Sequence, residues 1–112
     1  PLLSNSKIPR LIFTSTSVAQ KGNAYWGAYS VSKAGLKALS EILNEELETI
    51  PELKVFNFNP KATRTDMRAL AFPAEDPLQI KDPYQLISYY LWMLSEESST
   101  SSKTYIEFGE EL

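Results

Sequence analysis

The chain has 112 residues, 43% of them hydrophobic, which is enough for one small domain or a part of a larger one. A formal net charge of −3, with no run of basic residues, argues against a nucleic-acid-binding surface. Because the sequence contains neither Cys nor His, it excludes disulfides, thiol nucleophiles, Cys/His metal sites and a histidine base. We therefore expect no metal centre, and chemistry carried by hydroxyl, lysine or carboxylate groups or by a cofactor.

Short apolar segments alternate with longer helical ones in the first half of the chain. Residues 10–14 are apolar and rich in β-forming side chains, which predicts a buried strand. From about Tyr25, apolar residues recur every three or four positions and predict a long helix that closes at Ile50, just before a proline. Residues 53–58 then predict a second strand.

The second half continues the alternation less regularly. Residues 67–81 predict a loop with short helical pieces, and Asp82 followed by Pro83 is typical of a helix start. Residues 98–102 predict a polar loop, and 104–108 a terminal strand. The order strand–helix–strand–helix–strand favours right-handed crossovers and a parallel sheet, hence an α/β fold.

A tyrosine and a lysine four residues apart, Tyr29 and Lys33, form the most informative pair in the sequence. On a helix they share one face and lie within mutual reach, where an ammonium favours the ionised form of a phenol. Alone, the pair favours the interpretation as two exposed helical residues. Its surroundings favour chemistry instead, since Thr16 lies just past the first strand, thirteen residues before Tyr29, and residues 59–65 supply Pro and Thr after the second.

Together, residues 11–16, 29–33 and 59–65 resemble the short-chain dehydrogenase/reductase family. That family has a strand ending in serine, a Tyr-x-x-x-Lys thirteen residues on, and a strand ending in Pro-Gly with a threonine shortly after. The resemblance covers the C-terminal half of a family member and implies a Rossmann-type doubly wound parallel sheet. It is greatest to the bacterial YciK-like oxidoreductases, in residues 25–29, 63–69 and 71–77.

The resemblance implies hydride transfer between a nicotinamide cofactor and a carbonyl or alcohol substrate. Tyr29 would be the general acid/base, and Lys33 would hold the ribose hydroxyls and favour the phenolate. Thr16 would hydrogen-bond the reacting oxygen in place of the family's serine. Ser15 and Ser17 remain alternatives for that role if the loop register differs. The catalytic asparagine of the family has no counterpart among the residues given.

The loop after the second strand would complete the cofactor site with Tyr29 and Lys33. By the same resemblance, Pro60, Thr63 and Thr65 would border the nicotinamide. Lys61 stands where the family has glycine. If that glycine is required for a positive φ, lysine is strained there.

Three larger side chains, Trp26, Met67 and Phe72, are candidates for a substrate pocket, and core packing is the alternative for each. No Gly-rich phosphate-binding turn is present, although the first strand of a dinucleotide fold requires one. We therefore expect residues 1–112 to be the C-terminal portion of a single NAD(P)-binding domain whose N-terminal half is absent from this chain. NAD or NADP would bind only when that half is present.

The expected partners are that N-terminal half, a small carbonyl or alcohol substrate and further copies in a homo-oligomer, with no nucleic acid or membrane. With no secretory signal and no apolar stretch of spanning length, we expect a cytoplasmic protein. The alternative function is a non-catalytic remnant of the family that acts as a structural or assembly module. A sugar-nucleotide epimerase shares Tyr-x-x-x-Lys, but the loop with Pro60, Thr63 and Thr65 argues against it.

Overall fold

A computed structural model describes all residues from Pro1 to Leu112 as a small parallel sheet with helices on both faces. The elements follow in the order β1 (Arg10–Thr14), α1 (Gly27–Glu46), β2 (Lys54–Asn59), α2 (Asp66–Ala71), α3 (Ile87–Leu94) and β3 (Tyr105–Glu107). Short 3₁₀ turns lie at Ser17–Ala19, Pro77–Gln79, Pro83–Leu86 and Glu96–Thr100.

The three strands are parallel and lie in the order β1-β2-β3. Phe13 is level with Asn57, and Asn59 is level with Glu107. Each connection between parallel strands passes through at least one helix, which confirms the predicted α/β architecture of a Rossmann-type half. The carboxyl ends of all three strands therefore meet at one edge of the sheet, and their amino ends meet at the opposite edge.

Strand β2 is the centre of the core because it is the middle strand of the sheet and its side chains alternate between two covered faces. Phe56 and Phe58 pack towards α3, and the buried cluster on that face comprises Phe56, Phe58, Leu86, Tyr89, Met93 and Ile106. The other face meets α1, where the Asn44 amide donates to the Val55 carbonyl at 2.8 Å and accepts from the Val55 N–H at 3.1 Å. This paired contact fixes α1 against β2.

Arg10 organises the amino ends of the strands through the hydrogen bonds of its guanidinium. It donates to the carbonyl oxygens of Pro9, Glu52, Met93 and Ser95 and to the hydroxyls of Ser98 and Ser99, at 2.6 to 3.1 Å. Burial lowers the pKa of Arg10, against an opposing effect of the Glu52 carboxylate. One side chain thus joins β1, the loop before β2 and the segment after α3.

The structure differs from the sequence-based expectation at three element ends. Helix α1 ends at Glu46 rather than at Ile50, and residues 47–49 form a turn. Asp82 caps the segment before α3 as predicted, but a 3₁₀ turn precedes the α-helix. The predicted polar loop at 98–102 is a 3₁₀ turn as far as Thr100, and Ser98 within it is fully buried and accepts a hydrogen bond from Arg10.

Two further features concern the surface. The outer edge of β1 has no neighbouring strand, and α1 leaves Val31 73% exposed and Ile42 48% exposed. None of the helices combines the length and the apolar composition that crossing a membrane requires.

Candidate active site

A cleft of about 940 Å³ opens at the carboxyl ends of the strands. Thr14, Asn59 and Glu107, at or next to the ends of the three strands, all line it. In open α/β sheets this edge is where ligands bind, since the loops that follow the strands converge there. The predicted site residues Thr16, Trp26, Tyr29, Pro60, Thr63, Thr65, Met67 and Phe72 line the same cleft.

Tyr29 and Lys33 lie one turn apart at the start of α1. The Lys33 Nζ lies 5.9 Å from the centroid of the Tyr29 ring and donates to the Thr14 carbonyl at 3.1 Å. This hydrogen bond ties the first turns of α1 to the end of β1, beside the cleft. It also leaves two of the three ammonium donors of Lys33 for other partners.

The segment after β1 places three hydroxyl groups on the cleft wall, those of Ser15, Thr16 and Ser17. The Ser15 N–H donates to the Phe58 carbonyl at 2.6 Å, while its buried Oγ has no hydrogen-bond partner. Thr16 is half-buried in extended backbone, and the exposed Ser17 begins a 3₁₀ turn. Thr16 therefore lies in the cleft just after β1, and Ser15 and Ser17, the two alternatives for its role, line the same cleft.

The hydroxyls of the loop after β2 already make local hydrogen bonds. Thr63 donates to the Lys61 carbonyl at 3.0 Å. Thr65 caps α2 by accepting from the Arg68 N–H at 3.1 Å. An N-cap of this kind stabilises a helix by about 1 kcal/mol, so Thr65 has a structural role whatever the ligand. Its hydroxyl hydrogen remains available as a donor.

Lys61 adopts φ 56°, the left-handed conformation that normally favours glycine. Its N–H donates to the Asn59 side chain at 3.0 Å, and its Nζ lies 3.5 Å from the Glu107 carboxylate. The conditional expectation that lysine is strained at this position therefore applies, since left-handed backbone costs a non-glycine residue roughly 1–2 kcal/mol. The two contacts offset part of that cost.

An aromatic wall lies next to Tyr29. The Trp26 ring stacks on Phe72 with centroids 5.9 Å apart and meets Tyr29 at 5.6 Å. The guanidinium carbon of Arg68 lies 3.8 Å from the centre of the Phe72 ring. Met67 lines the cleft as well but is 70% exposed. The three predicted substrate-contacting side chains thus all line the cleft, and two of them, Trp26 and Phe72, are in contact.

Ion pairs that the sequence did not reveal hold the loop between β2 and α3. Arg68 binds Glu75 through two hydrogen bonds of 2.9 and 2.8 Å, and Arg64 binds Asp82 at 2.7 Å. The hydrogen bonds from Arg68 lower the pKa of Glu75, and the Tyr84 N–H, with Arg64, lowers the pKa of Asp82. Arg68 lies in α2 and Glu75 beyond its end, and Arg64 and Asp82 are 18 residues apart, so neither pair lies on one helix or strand and no local pattern predicted it.

A network at the end of β3 was also missed. The Tyr105 hydroxyl donates to Glu107 at 2.9 Å and accepts from the Asn59 amide at 3.2 Å. Burial is the main reason that the pKa of Tyr105 is raised. The signal that could have located Glu107 was its place at a predicted strand end, next to the strand that carries Asn59.

Known proteins match both the sequence and the geometry of this chain. The short chain dehydrogenase family matches residues 1–76. The oxidoreductase YciK of Escherichia coli K12 is 43% identical over 98 residues, which cover 88% of this chain and 38% of YciK. The solved structure of yciK from E. coli is 38% identical with a TM-score of 0.90, covering 98% of this chain and 44% of that one.

A short chain dehydrogenase from Shigella flexneri 2a str. 301, solved in complex with NADP, is 39% identical with a TM-score of 0.89. The match covers 96% of this chain and 44% of that one. The chain thus spans less than half the length of these relatives, 38% of YciK. The predicted resemblance to YciK-like oxidoreductases is confirmed, and the chain belongs to the short-chain dehydrogenase family.

Proposed function

We propose that the chain carries the catalytic part of an NAD(P)-dependent oxidoreductase that transfers a hydride between nicotinamide and a carbonyl or alcohol substrate. The observation that carries this proposal is the convergence of Tyr29, Thr16 and the Lys33-anchored end of β1 on one cleft at the carboxyl edge of the sheet. The NADP complex of the Shigella flexneri relative supports the nature of the cofactor.

The residues present fit a nicotinamide riboside. Lys33 has two ammonium donors left for ribose hydroxyls, and the buried Ser15 Oγ in the cleft wall has no partner within the chain. Tyr29, Pro60, Thr63 and Thr65, which line the cleft, would hold the group together with Lys33, which is not part of the cleft lining but lies beside Tyr29. When bound, nicotinamide supplies or accepts the hydride, and every other requirement falls on the chain itself.

Tyr29 moves the proton. In the direction of reduction its hydroxyl donates a proton to the carbonyl oxygen, and in the direction of oxidation its phenolate removes the proton from the alcohol. The Thr16 hydroxyl donates a hydrogen bond to the same oxygen, which stabilises the negative charge that develops there. Lys33 stabilises the phenolate through its positive charge, an effect that gains strength in a partly desolvated cleft.

Trp26, Met67 and Phe72 form the substrate side of the cleft in this proposal. The stacked Trp26 and Phe72 rings place an apolar surface beside Tyr29 and favour an apolar part of the substrate there. The substrate class that follows is a small carbonyl or alcohol compound with an apolar portion.

We also propose that residues 1–112 form the C-terminal portion of a single Rossmann-type domain. The unpaired outer edge of β1 is the position at which further parallel strands would add, and an open apolar edge is otherwise a site of aggregation. Phosphate binding would come from that additional half, because none of the loops here has the Gly-rich turn. The exposed apolar residues of α1 are consistent with contacts in a homo-oligomer.

A second candidate function is a non-catalytic structural or assembly module derived from the same family. Lys61 favours it, because a lysine in left-handed backbone stands in the cleft where the family pattern has glycine. This alternative predicts that the assembled protein binds neither NADH nor NADPH.

The test uses the protein in which this chain is joined to its N-terminal half, titrated with NADH and NADPH before any assay of turnover. Binding of either cofactor supports the enzyme and argues against the assembly module. Tyr29→Phe should then lower kcat by a factor on the order of 100 to 10,000 while leaving cofactor affinity unchanged. Tyr84→Phe is the matched control, since Tyr84 is 79% exposed and lies outside the cleft lining. Full turnover by Tyr29→Phe would remove Tyr29 from the mechanism.

A further inference from the structure

Lys61 carries the cation of the cleft that is least committed to a protein partner. Its contact with Glu107, at 3.5 Å, is the longest ion pair of the chain, the others measuring 2.5 to 2.8 Å. The other cation of the cleft lining, Arg68, is bound by Glu75 through two nitrogens. Lys61 therefore retains hydrogen-bonding capacity that a ligand in the cleft can use.

The backbone around Lys61 is fixed although its ammonium is not. The N–H donates to Asn59 and the carbonyl accepts from Thr63, both at 3.0 Å. These contacts hold the left-handed turn, and the side chain, 52% exposed, leaves it along the cleft wall. A ligand would thus meet a pre-positioned lysine and order only the end of its side chain.

Glu107 can give up Lys61 without becoming an isolated charge. Its Oε1 accepts a hydrogen bond from the Tyr105 hydroxyl at 2.9 Å, whereas its Oε2 faces Lys61. When an external anion takes the ammonium, the Tyr105 hydrogen bond remains, and the part-exposed carboxylate turns to water. The exchange therefore avoids the large cost of leaving a buried charge without a partner.

The surroundings of Lys61 are positive in an otherwise acidic chain. Lys81 donates to the Ala62 carbonyl and lies 4.5 Å from the Phe108 ring centroid. After burial, the positive charges of Lys61 and Arg68 are the causes that lower the pKa of Lys81, so the three cations share one local field. Glu107 and Glu75 pair with Lys61 and Arg68, whereas Lys81 has no carboxylate partner, so the group keeps a small excess of positive charge, which favours an anionic ligand at the cleft.

We infer that Lys61 is an anion-binding residue of the cleft, which receives a carboxylate or phosphate group of the ligand in exchange for Glu107. The inference rests on the proposed function in placing a ligand in this cleft. The group has two possible sources, a carboxylate of the substrate or a phosphate of the nucleotide. Lys61 thus adds selection for charge to the apolar contacts made by the aromatic wall.

The test is an NMR titration of the isotope-labelled 112-residue chain at low ionic strength. The probes are malonate, inorganic pyrophosphate and the neutral analogue malonamide. In the unmodified chain, malonate or pyrophosphate should shift the amides of Lys61 and Glu107, and malonamide should not. Lys61→Gly, whose backbone suits glycine, should weaken anion binding about fivefold, the effect of one unit charge at contact distance in a water-like environment. Lys61→Arg should retain binding.

Two further variants sharpen the result. Glu107→Gln should strengthen anion binding, because it removes the competing charge while its amide oxygen still accepts from Tyr105. Lys103→Gln is the matched control for net charge, since Lys103 pairs with Glu110 outside the cleft, and it should leave binding unchanged. The dispersion of each spectrum reports whether the variant folds.

If only malonate binds in a Lys61-dependent way, the anionic group of the ligand is the substrate carboxylate. If only pyrophosphate does so, it is the nucleotide phosphate. Both results support the inference. Equal affinity of the unmodified chain and Lys61→Gly, equal binding of malonamide, or no anion binding at all would overturn it. The titration uses no nicotinamide and measures no turnover. Its result can therefore be interpreted even if the oxidoreductase proposal fails.

Discussion

At the amino ends of the strands the guanidinium of Arg10 is hydrogen-bonded to several other parts of the chain, whereas near the carboxyl ends some polar groups have no protein partner or only a distant one. Arg10 bonds four carbonyl and two hydroxyl oxygens at the first end. Near the carboxyl ends, the buried Ser15 Oγ has no hydrogen-bond partner, and the only charged partner of Lys61 is Glu107, at 3.5 Å. Because buried polar groups are normally satisfied, this difference supports the proposal that the carboxyl ends bind a ligand, whereas the contacts of Arg10 stabilise the fold.

The two ends also share a feature that makes them comparable. Glu52 at the amino end and Lys61 at the carboxyl end both adopt left-handed backbone, with φ 60° and 56°. The Glu52 carbonyl accepts from Arg10 at 2.6 Å, and the Lys61 ammonium faces the cleft. The same backbone strain therefore serves packing at one end and the site at the other.

The largest effect is expected at the amino end. Arg10→Met keeps the aliphatic stem but removes the guanidinium hydrogen bonds to the carbonyls of Glu52, Met93 and Ser95, of which the last two keep only the Ser98 hydroxyl. At about 1 kcal/mol for each hydrogen bond, the free energy of unfolding should fall by about 3 kcal/mol. Urea denaturation measures the loss.

Lys54→Met is the matched control for that substitution. Lys54 is the register partner of Arg10 on β2 and makes one such bond, to the Ser101 carbonyl at 2.8 Å. Its loss should cost about 1 kcal/mol or less. Equal destabilisation by the two variants would contradict the special role of Arg10.

The next largest effect concerns the hydroxyls of the cleft. In the assembled oxidoreductase, Thr16→Ala should lower kcat about 100-fold, equivalent to about 2.7 kcal/mol, because one donor to the reacting oxygen is lost. Ser17→Ala, at the neighbouring exposed hydroxyl, should lower kcat by less than about threefold. Steady-state kinetics on both variants measure this, and a larger loss for Ser17→Ala would move the role to Ser17.

A smaller effect comes from Glu52 and Lys61, two of the three non-glycine residues with left-handed backbone, the third being Tyr25. Glu52→Gly and Lys61→Gly should each change the free energy of unfolding by no more than about 1 kcal/mol, since relief of strain opposes the entropy of glycine in the unfolded chain. Only Lys61→Gly should change ligand binding in the cleft. Thermal denaturation measures the stability of the two variants, and anion titration measures their ligand binding. Weaker anion binding by Glu52→Gly would contradict the assignment of the binding site to the carboxyl ends of the strands.

The smallest effect is a dependence on acid pH that should appear at the carboxyl end alone. The folded-state pKa values of Glu75 and Asp82 lie below their ordinary values of 4.5 and 3.8. Their stabilisation is therefore complete above those values and is lost as the pH falls through the lower folded-state values. The hydrogen-bond partners of Arg10 include no carboxylate, so its contacts should persist in acid.

Hydrogen-exchange protection factors at about pH 6 and about pH 3 measure this difference. Residues 64–82 should lose more protection than residues 93–99. Glu75→Gln should reduce the pH dependence, and Glu48→Gln, an exposed substitution at the end of α1, should leave it unchanged. Uniform loss of protection at both ends would contradict the prediction.

Much of the carboxyl end could be predicted from sequence because its signals are local. The spacing of Tyr29 and Lys33 gives one helix face, and the order of strands brings Thr16 and the loop after β2 to one edge. The amino end could not be predicted, because Arg10 binds carbonyls and hydroxyls 83 to 89 residues away. Backbone carbonyls carry no residue signature, and the buried Ser98 looked like part of a polar loop for the same reason.

If the cleft at the carboxyl ends of the strands is the nicotinamide site, nicotinamide mononucleotide should bind in it, and NMR of the isotope-labelled chain can map where this ligand binds. This ligand carries the nicotinamide riboside without the adenosine half, so it addresses the residues present. We predict that amide shifts concentrate at residues 14–17, 29–33 and 61–65. Shifts centred on residues 93–101, at the amino ends of the strands, or no shifts at all, would show that this cleft is not the nicotinamide site.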